Sequence, residues 1–135
     1  MRRRSIFKKI ALIVLALVFM VQSLPFTTVQ ALANDTFQIV NLETNQTENP
    51  IGFDMETPQF SWQMESSKGS QLQEKYQIVV RNDHNDIVWD SGEVTSGISV
   101  NIPYEGSALR AKTQYTWTVK VWNQDGVSVT SDPAI

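Results

Sequence analysis

The feature that most constrains this chain is a strict two-residue alternation from Tyr115 to Val121. Tyr115, Trp117, Val119 and Val121 alternate with polar residues, and the run ends at the turn-forming residues Asn123–Gly126. A period of two describes a strand with one buried face, not a helix. A tyrosine that opens such a strand shortly after a turn is typical of the tyrosine corner of β-sandwiches. The stretch therefore predicts an architecture and carries no chemistry of its own.

Residues 1–33 have the composition of a secretory signal peptide. Basic residues at positions 2–4 and 8–9 precede an uncharged apolar run from Ile10 to Val21, and small residues stand at Ala31 and Ala33. A membrane anchor needs about 20 apolar residues, whereas polar residues interrupt this run at positions 22–23; an uncleaved anchor is the alternative. We expect cleavage near Ala33, secretion from a bacterial cell, and contact with a membrane only through this segment.

Removal of the signal peptide would leave an acidic chain without cysteine. All 14 acidic residues but only six of the 11 basic ones follow residue 33, which gives residues 34–135 a net charge of −8. Such a surface repels phosphate backbones, which disfavours nucleic-acid binding, and we expect no nucleic acid among the partners. No disulfide can form, even in an oxidising compartment. The length of residues 34–135 suits one domain.

The remaining sequence predicts an all-β sandwich of the immunoglobulin or fibronectin type III kind, because short apolar runs alternate with turn residues. We assign seven strands: residues 37–43, 60–64, 76–81, 87–89, 98–102, the alternating part of 109–122, and 127–130. The seventh strand is expected to be incomplete at Ile135. Backbone donors and acceptors of the sixth strand would then lack a partner, and residues 34–135 would be marginally stable alone.

Residues that could carry out chemistry are few. The only histidine, His84, lies in the polar run Asn82–Asp86, which we interpret as a turn because short polar side chains there bond their own backbone. Glycoside hydrolysis needs two carboxyl groups that face each other across a cleft. The carboxylates considered for this role are scattered over strand ends and turns: Glu43, Glu65, Asp90 and Glu93. We predict no catalytic residue, no metal site and no cofactor in this chain.

The four tryptophans divide into two groups. Trp62 and Trp117 have the inward parity of their strands and are expected in the core. Trp122 has the outward parity of the sixth strand, and Trp89 lies on a short, edge-like strand before a glycine turn. An exposed tryptophan can stack on a sugar ring or pack against another domain. Trp89 and Trp122 are therefore candidate residues for a domain interface, which we favour, or for sugar stacking.

Several motifs in a fixed order resemble those of one family. They are ENPIGFD at 48–54, PQFSW at 58–62, Gln73, YQI at 76–78, WDSG at 89–92, the pair Tyr104 and Gly106, and the alternating tail at 109–126. Together they resemble the N-terminal fibronectin type III-like domain of bacterial α-L-rhamnosidases, glycoside hydrolase family 78. The resemblance covers residues 38–135. Gln59 replaces the arginine usual in the family, and Phe53 replaces an aliphatic residue.

The resemblance implies a non-catalytic domain of a longer secreted enzyme that hydrolyses terminal α-L-rhamnose from glycosides. Family members continue through further β-domains into an (α/α)6 barrel with the catalytic acids, so the chain would be a fragment and no catalytic residue is carried over to it. The implied partners are the downstream domains of the same protein, with rhamnose-containing glycans as a further candidate. The alternatives are a stand-alone carbohydrate-binding or adhesion module, and the same sandwich in another secreted hydrolase.

Overall fold

The computed structural model describes residues 36–51 and 57–135, so the signal peptide predicted for residues 1–33 lies outside the described residues. This part of the chain forms eight strands. They are β1 (Phe37–Thr44), β2 (Gln59–Ser66), β3 (Gln73–Arg81), β4 (Ile87–Asp90), β5 (Val94–Thr95), β6 (Ile102–Pro103), β7 (Thr116–Asn123) and β8 (Ser128–Thr130). None of the described residues forms a helix long and apolar enough to cross a membrane.

The strands form two antiparallel sheets. One has the order β1-β2-β6, and the other has the order β4-β3-β7-β8, with β5 paired to β3. Hydrophobic side chains of both sheets meet in one core cluster. Two antiparallel sheets that share a core are the immunoglobulin-like sandwich expected from the sequence. The predicted fold class is confirmed.

The core follows the two-residue alternation. On β7 the buried hydrophobic positions are Trp117, Val119 and Val121, and β3 alternates in the same way. The opposite sheet contributes Phe60 and Trp62, and the ring centroids of Phe60 and Trp117 are 4.6 Å apart. Full burial of one such side chain contributes about 1.5–3 kcal/mol to stability. The placement of Trp62 and Trp117 in the core is confirmed, since their exposed fractions are 1% and 2%.

The WDSG motif ends β4 and joins it to β3. The hydroxyl oxygen of Ser91 accepts the N–H of Ile78 at 2.8 Å, and the N–H of Ser91 donates to the carbonyl of Ile78 at 2.9 Å. The Asp90 carboxylate accepts the N–H of Gly92 at 2.9 Å. Gly92 has a φ of 63°, a conformation that glycine adopts without steric cost. The motif is therefore explained by turn structure.

The seven-strand assignment is wrong between β4 and β6. Residues 98–101 are irregular, and Ile98 and Val100 are 62% and 58% exposed. Only the end of the predicted strand pairs, as β6, and the unpredicted β5 pairs with β3. The side-chain amide of Gln73 donates to the carbonyls of Ser96 and Ile98 at 2.9 and 3.0 Å. These carbonyls are satisfied by a side chain, so the apolar alternation here does not produce a strand.

The prediction that β7 has a free edge also needs correction. β8 pairs with β7, and beyond it the hydroxyl of Ser131 accepts the N–H of Val119 at 3.1 Å while its own N–H donates to the Val119 carbonyl at 2.9 Å. Ala134 and Trp117 exchange two backbone hydrogen bonds of 2.8 and 2.9 Å. The final residues thus bond along β7 as far as Trp117. The expectation that an incomplete last strand leaves this edge unpaired is wrong.

Candidate functional site

Trp89 lies on β4 and is half-buried against the core. Its ring is 6.2 Å from that of Phe60 and 5.1 Å from that of Tyr104, measured between centroids. Gly106 packs on the same cluster, because a Cβ there would overlap the Tyr104 ring and stand 2.9 Å from the Cβ of Trp89. The motif residues Trp89, Tyr104 and Gly106 therefore form one aromatic corner. A contact of Trp89 with a sugar or another domain stays a prediction.

Trp122 lies on the outer face of its sheet, opposite Lys75 and Ser128. It is half-buried, and the Lys120 ammonium lies 4.6 Å from its ring centroid. This is the distance of a cation–π interaction. A sugar that stacked on the same ring face would have to displace the lysine. Sugar stacking at Trp122, like its role in an interface, stays a prediction.

The carboxylates considered for catalysis are divided between the two sheets. Glu43 and Glu65 belong to β1 and β2, whereas Asp90 ends β4 and Glu93 follows it. Glu65 and Asp90 accept hydrogen bonds from glutamine side chains of neighbouring strands at 3.0 and 2.8 Å. Glu93 forms an ion pair of 3.6 Å with a lysine of β3. Each of these last three carboxylates is thus held by a local structural contact.

His84 lies in the turn between β3 and β4. Its Nδ1 is 2.7 Å from the Asp83 carboxylate, and both side chains are exposed. The side-chain oxygen of Asn82 accepts the N–H groups of His84 and Asp86 at 3.0 and 2.9 Å. Residues 36–51 and 57–135 contain no group of three or more histidine, aspartate or glutamate side chains that could hold a metal ion. The interpretation of Asn82–Asp86 as a turn is confirmed.

Three segments and Ile135 meet at one end of the sandwich, which we call the exit end. It comprises residues 44–51, 82–86 and 104–115 together with Ile135. Two concave regions lie here, and they share Leu109, Arg110, Thr113 and Tyr115 as a common wall. One is a cavity of about 170 Å³ beside Ile135. The other is a groove of about 590 Å³ beside the His84 turn, and the two regions are open to solvent to a similar extent.

The backbone of Ile135 is held by the side chains of Thr44, the last residue of β1, and Asn49, which follows β1. Its N–H donates to the side-chain oxygen of Asn49 at 3.0 Å, and its carbonyl accepts the hydroxyl of Thr44 at 2.8 Å. The Thr44 hydroxyl also accepts the indole N–H of Trp117 at 3.1 Å in the core. Asn49 has a φ of 45°, which asparagine tolerates better than most residues. Thr44 and Asn49 thus fix the backbone at Ile135.

The cavity beside Ile135 has both apolar and polar walls. Its apolar lining includes the buried residues Pro58, Phe60 and Trp117. Pro50 and Leu109 also line it and are partly exposed. A cavity of about 150 Å³ with apolar walls can bind a benzene-sized group. The volume beside Ile135 is therefore sufficient for one side chain, which would contact both apolar and polar walls.

Two tyrosine hydroxyls hold the segment 104–115 in place. The Tyr115 hydroxyl accepts the backbone N–H of Arg110 at 2.9 Å, which confirms the tyrosine corner. The Tyr104 hydroxyl donates to the Ser107 carbonyl at 2.8 Å. Burial, and to a lesser extent the neighbouring Tyr115, raises the pKa of Tyr104, which favours the protonated hydroxyl that donates this hydrogen bond. Arg110 and Lys112 are left exposed on a fixed segment.

Sequence reasoning did not identify the exit end. Thr44 and Asn49 bond to Ile135 across 91 and 86 positions, a relation that no local pattern can reveal. One available signal is charge, because Arg110 and Lys112 are two of only six basic residues after residue 33. Their closeness in an acidic chain could have indicated an electrostatic surface.

The chain is similar to one domain family and to several α-L-rhamnosidases. The family model of the "Rha78A-like, N-terminal immunoglobulin domain" matches residues 39–135. An α-L-rhamnosidase of Streptomyces avermitilis is 42% identical over 84 residues, which cover 58% of this chain and 8% of that protein. The crystal structure of the Streptomyces avermitilis α-L-rhamnosidase complexed with L-rhamnose superposes with a TM-score of 0.68 and 35% identity, over 73% of this chain and 10% of that one.

A second solved structure, the α-L-rhamnosidase from Dictyoglumus thermophilum, has a TM-score of 0.65 and 31% identity, over 72% of this chain and 12% of that one. The chain therefore spans only 8% to 12% of the length of these relatives. The similarity is to one domain of larger proteins.

Proposed function

The chain belongs to the Rha78A-like N-terminal immunoglobulin domains, and from this membership we propose that it is the leading, non-catalytic domain of a longer, secreted α-L-rhamnosidase. The parent enzyme hydrolyses terminal α-L-rhamnose from glycosides. This domain packs against the domains that follow and supports the catalytic one. The observation that carries the proposal is the family match along residues 39–135.

Two features of the structure favour a structural role for this domain in the parent protein. The motifs that characterise the sequence serve the fold: WDSG closes β4 onto β3, Trp89 and Gly106 build the aromatic corner, and Asn49 binds Ile135. The backbone at Ile135 is also fixed by two side-chain hydrogen bonds. A fixed backbone there suits a domain that orients a following one, because a flexible connection would transmit no orientation.

The test begins with the gene. Its reading frame is expected to continue past Ile135 into further domains, and a stop codon at that point would contradict the proposal. The full protein is then assayed for release of a chromophore from an aryl α-L-rhamnoside, with the matching α-L-fucoside as the control substrate. We expect hydrolysis of the rhamnoside by the full protein and none by residues 34–135. A full protein that does not cleave the rhamnoside would refute the assignment of the parent activity.

A further inference from the structure

We propose that the exit end is the docking surface for the domain that follows Ile135, and that its cavity receives an apolar side chain flanked by carboxylates. The inference rests on the proposed function, because it requires a parent protein that continues beyond this domain. It specifies which face of the sandwich docks and which chemistry the partner presents there.

The position of Ile135 is the first argument. Ile135 itself lines the cavity, and its backbone is held there by Thr44 and Asn49. One extended residue spans at most about 3.6 Å. The residues that follow Ile135 therefore start at the mouth of the cavity, and the nearest part of the next domain is the partner with the highest local concentration.

The apolar lining is the second argument. The apolar part of the lining consists of the partly exposed Pro50 and Leu109 and the buried Pro58, Phe60 and Trp117. Ile51 extends the apolar surface next to Pro50 and is 82% exposed. Apolar surface in such a concave region is removed from water most effectively by an inserted apolar side chain.

Charge is the third argument. Arg110 and Lys112 line the cavity and are exposed. The ion pairs found among residues 36–51 and 57–135 involve Lys68, Lys75 and His84, and neither Arg110 nor Lys112 takes part in them. Arg110 and Lys112 are the charged residues among those that line the cavity, whereas the acidic residues of the exit end are outside this lining: Glu48, Asp83, Asp86 and Glu105. Two exposed cations at the cavity favour a partner that carries carboxylates at this point.

Preorganisation is the fourth argument. The hydroxyls of Tyr104 and Tyr115 hold the segment between them by hydrogen bonds of 2.8 and 2.9 Å. The cations therefore lie on a segment whose path is already fixed. Less conformational entropy is lost on docking when the contact segment is ordered beforehand.

The test is hydrogen–deuterium exchange of the full protein, read from peptides that cover residues 109–115. The comparison is with a protein that carries both Arg110→Glu and Lys112→Glu. Docking should slow exchange of these amides about tenfold in the wild type relative to this variant, because the next domain would cover their backbone in the wild type only. Lys68→Glu is the matched control. Lys68 is an exposed lysine beyond Ser66, at the far end of β2 from the exit end, and this variant is expected to exchange like the wild type.

Peptides from β7 report whether the sandwich itself is intact. Retained protection of Thr116–Asn123, with faster exchange at 109–115, is the expected result in the charge-reversed protein. If β7 also loses protection, the same comparison is made with Arg110→Gln and Lys112→Gln, which remove the charges without reversing them. Equal exchange at 109–115 in the wild type and in an intact variant would overturn the docking surface.

The rhamnosidase assay separates the two proposals. A full protein that cleaves the rhamnoside but shows unprotected 109–115 amides would overturn the docking surface and leave the parent activity standing. A full protein with protected 109–115 amides and no cleavage would refute the activity and support the docking surface.

Discussion

The indole N–H of Trp62 donates a 2.9 Å hydrogen bond to the side-chain oxygen of Gln73 in the interior of the sandwich. The amide nitrogen of Gln73 donates in turn to the carbonyls of Ser96 and Ile98. Gln73 is only 8% exposed, and one polar side chain thus joins β2, β3 and the irregular segment after β5. A buried polar residue is tolerated when its hydrogen bonds are made, as they are here.

Replacement of Gln73 by methionine should destabilise the sandwich by about 2–3 kcal/mol, because the Trp62 N–H and two carbonyls lose their partner. Gln63→Met is the matched control. Gln63 also lies on a strand and accepts one side-chain hydrogen bond from Asn41, but at the surface. Urea unfolding of residues 34–135 measures both changes, and equal midpoints for the two variants would contradict the structural role of Gln73.

Replacement of Gly106 by alanine should cost about 1–3 kcal/mol, the usual cost of overpacking a well-packed site. The new Cβ would overlap the Tyr104 ring and press on Trp89. Gly69→Ala is the control, since nothing lies within 4 Å of a Cβ at that position. Thermal unfolding followed by tryptophan fluorescence compares the two. A Gly106→Ala protein as stable as Gly69→Ala would mean that the aromatic corner can relax without loss.

The tyrosine corner predicts a difference between two Tyr→Phe substitutions. Tyr115→Phe removes the acceptor of the Arg110 N–H and should cost about 0.5–1.5 kcal/mol. Tyr76→Phe is the control, because the hydrogen bonds found in the described part of the chain include none from the Tyr76 hydroxyl. The comparison is made by urea unfolding at pH 7. A larger loss for Tyr76→Phe would contradict the role of the Tyr115 hydroxyl.

Alkaline pH should weaken the fold through two buried tyrosines. Burial, with a smaller contribution from the nearby Glu105, raises the pKa of Tyr76, and burial likewise raises the pKa of Tyr104. Above the ordinary tyrosine pKa of about 10, the unfolded chain loses these protons while the folded chain retains them. The stabilisation is complete below that pH and is lost as pH rises through the folded-state pKa values.

Urea midpoints between pH 8 and pH 11 test this dependence. The midpoint should fall above about pH 10, and the fall should be shallower in a protein with Tyr76→Phe and Tyr104→Phe. An equally steep fall in the doubly substituted protein would assign the pH dependence to other groups.

Processing of the N-terminus is tested by sequencing the protein recovered from the culture medium of a bacterial host. We expect Asn34 as the first residue, because Ala31 and Ala33 stand at the positions that signal peptidase reads. Ala33→Lys should block cleavage, and Ala31 and Ala33 replaced by glycine should preserve it. Recovery of the unprocessed chain in the membrane fraction would favour the uncleaved anchor.

The two-residue periodicity predicted the regular strands well, because a strand with one buried face requires apolar residues at alternate positions. β7 and β3 show this most clearly, since Trp117, Val119, Ile78 and Val80 are all buried as their parity requires. The same rule failed at Ile98 and Val100. Their alternation is equally regular, but the neighbouring carbonyls are bonded to Gln73 and the side chains face solvent.

The exit end could not be predicted for a different reason. Its geometry depends on hydrogen bonds that join Ile135 to Thr44 and Asn49. It also depends on two hydrogen bonds between tyrosine hydroxyls and backbone groups of the segment 104–115. Composition and spacing identify residue types but not these long-range partners. The resemblance to family motifs located Asn49, Tyr104 and Gly106 without stating what they bind.

The bonds of Ile135 to Thr44 and Asn49 can form only after residues 44–135 have all been synthesised. The first strand and the last residue are joined across nearly the whole domain, so the closing contacts form last and involve a long chain loop. Until residues 128–134 have emerged from the ribosome, β7 lacks β8, Ser131 and Ala134 as partners and its edge is open. A chaperone that covers this edge in the nascent chain would suppress the aggregation that exposed strands promote.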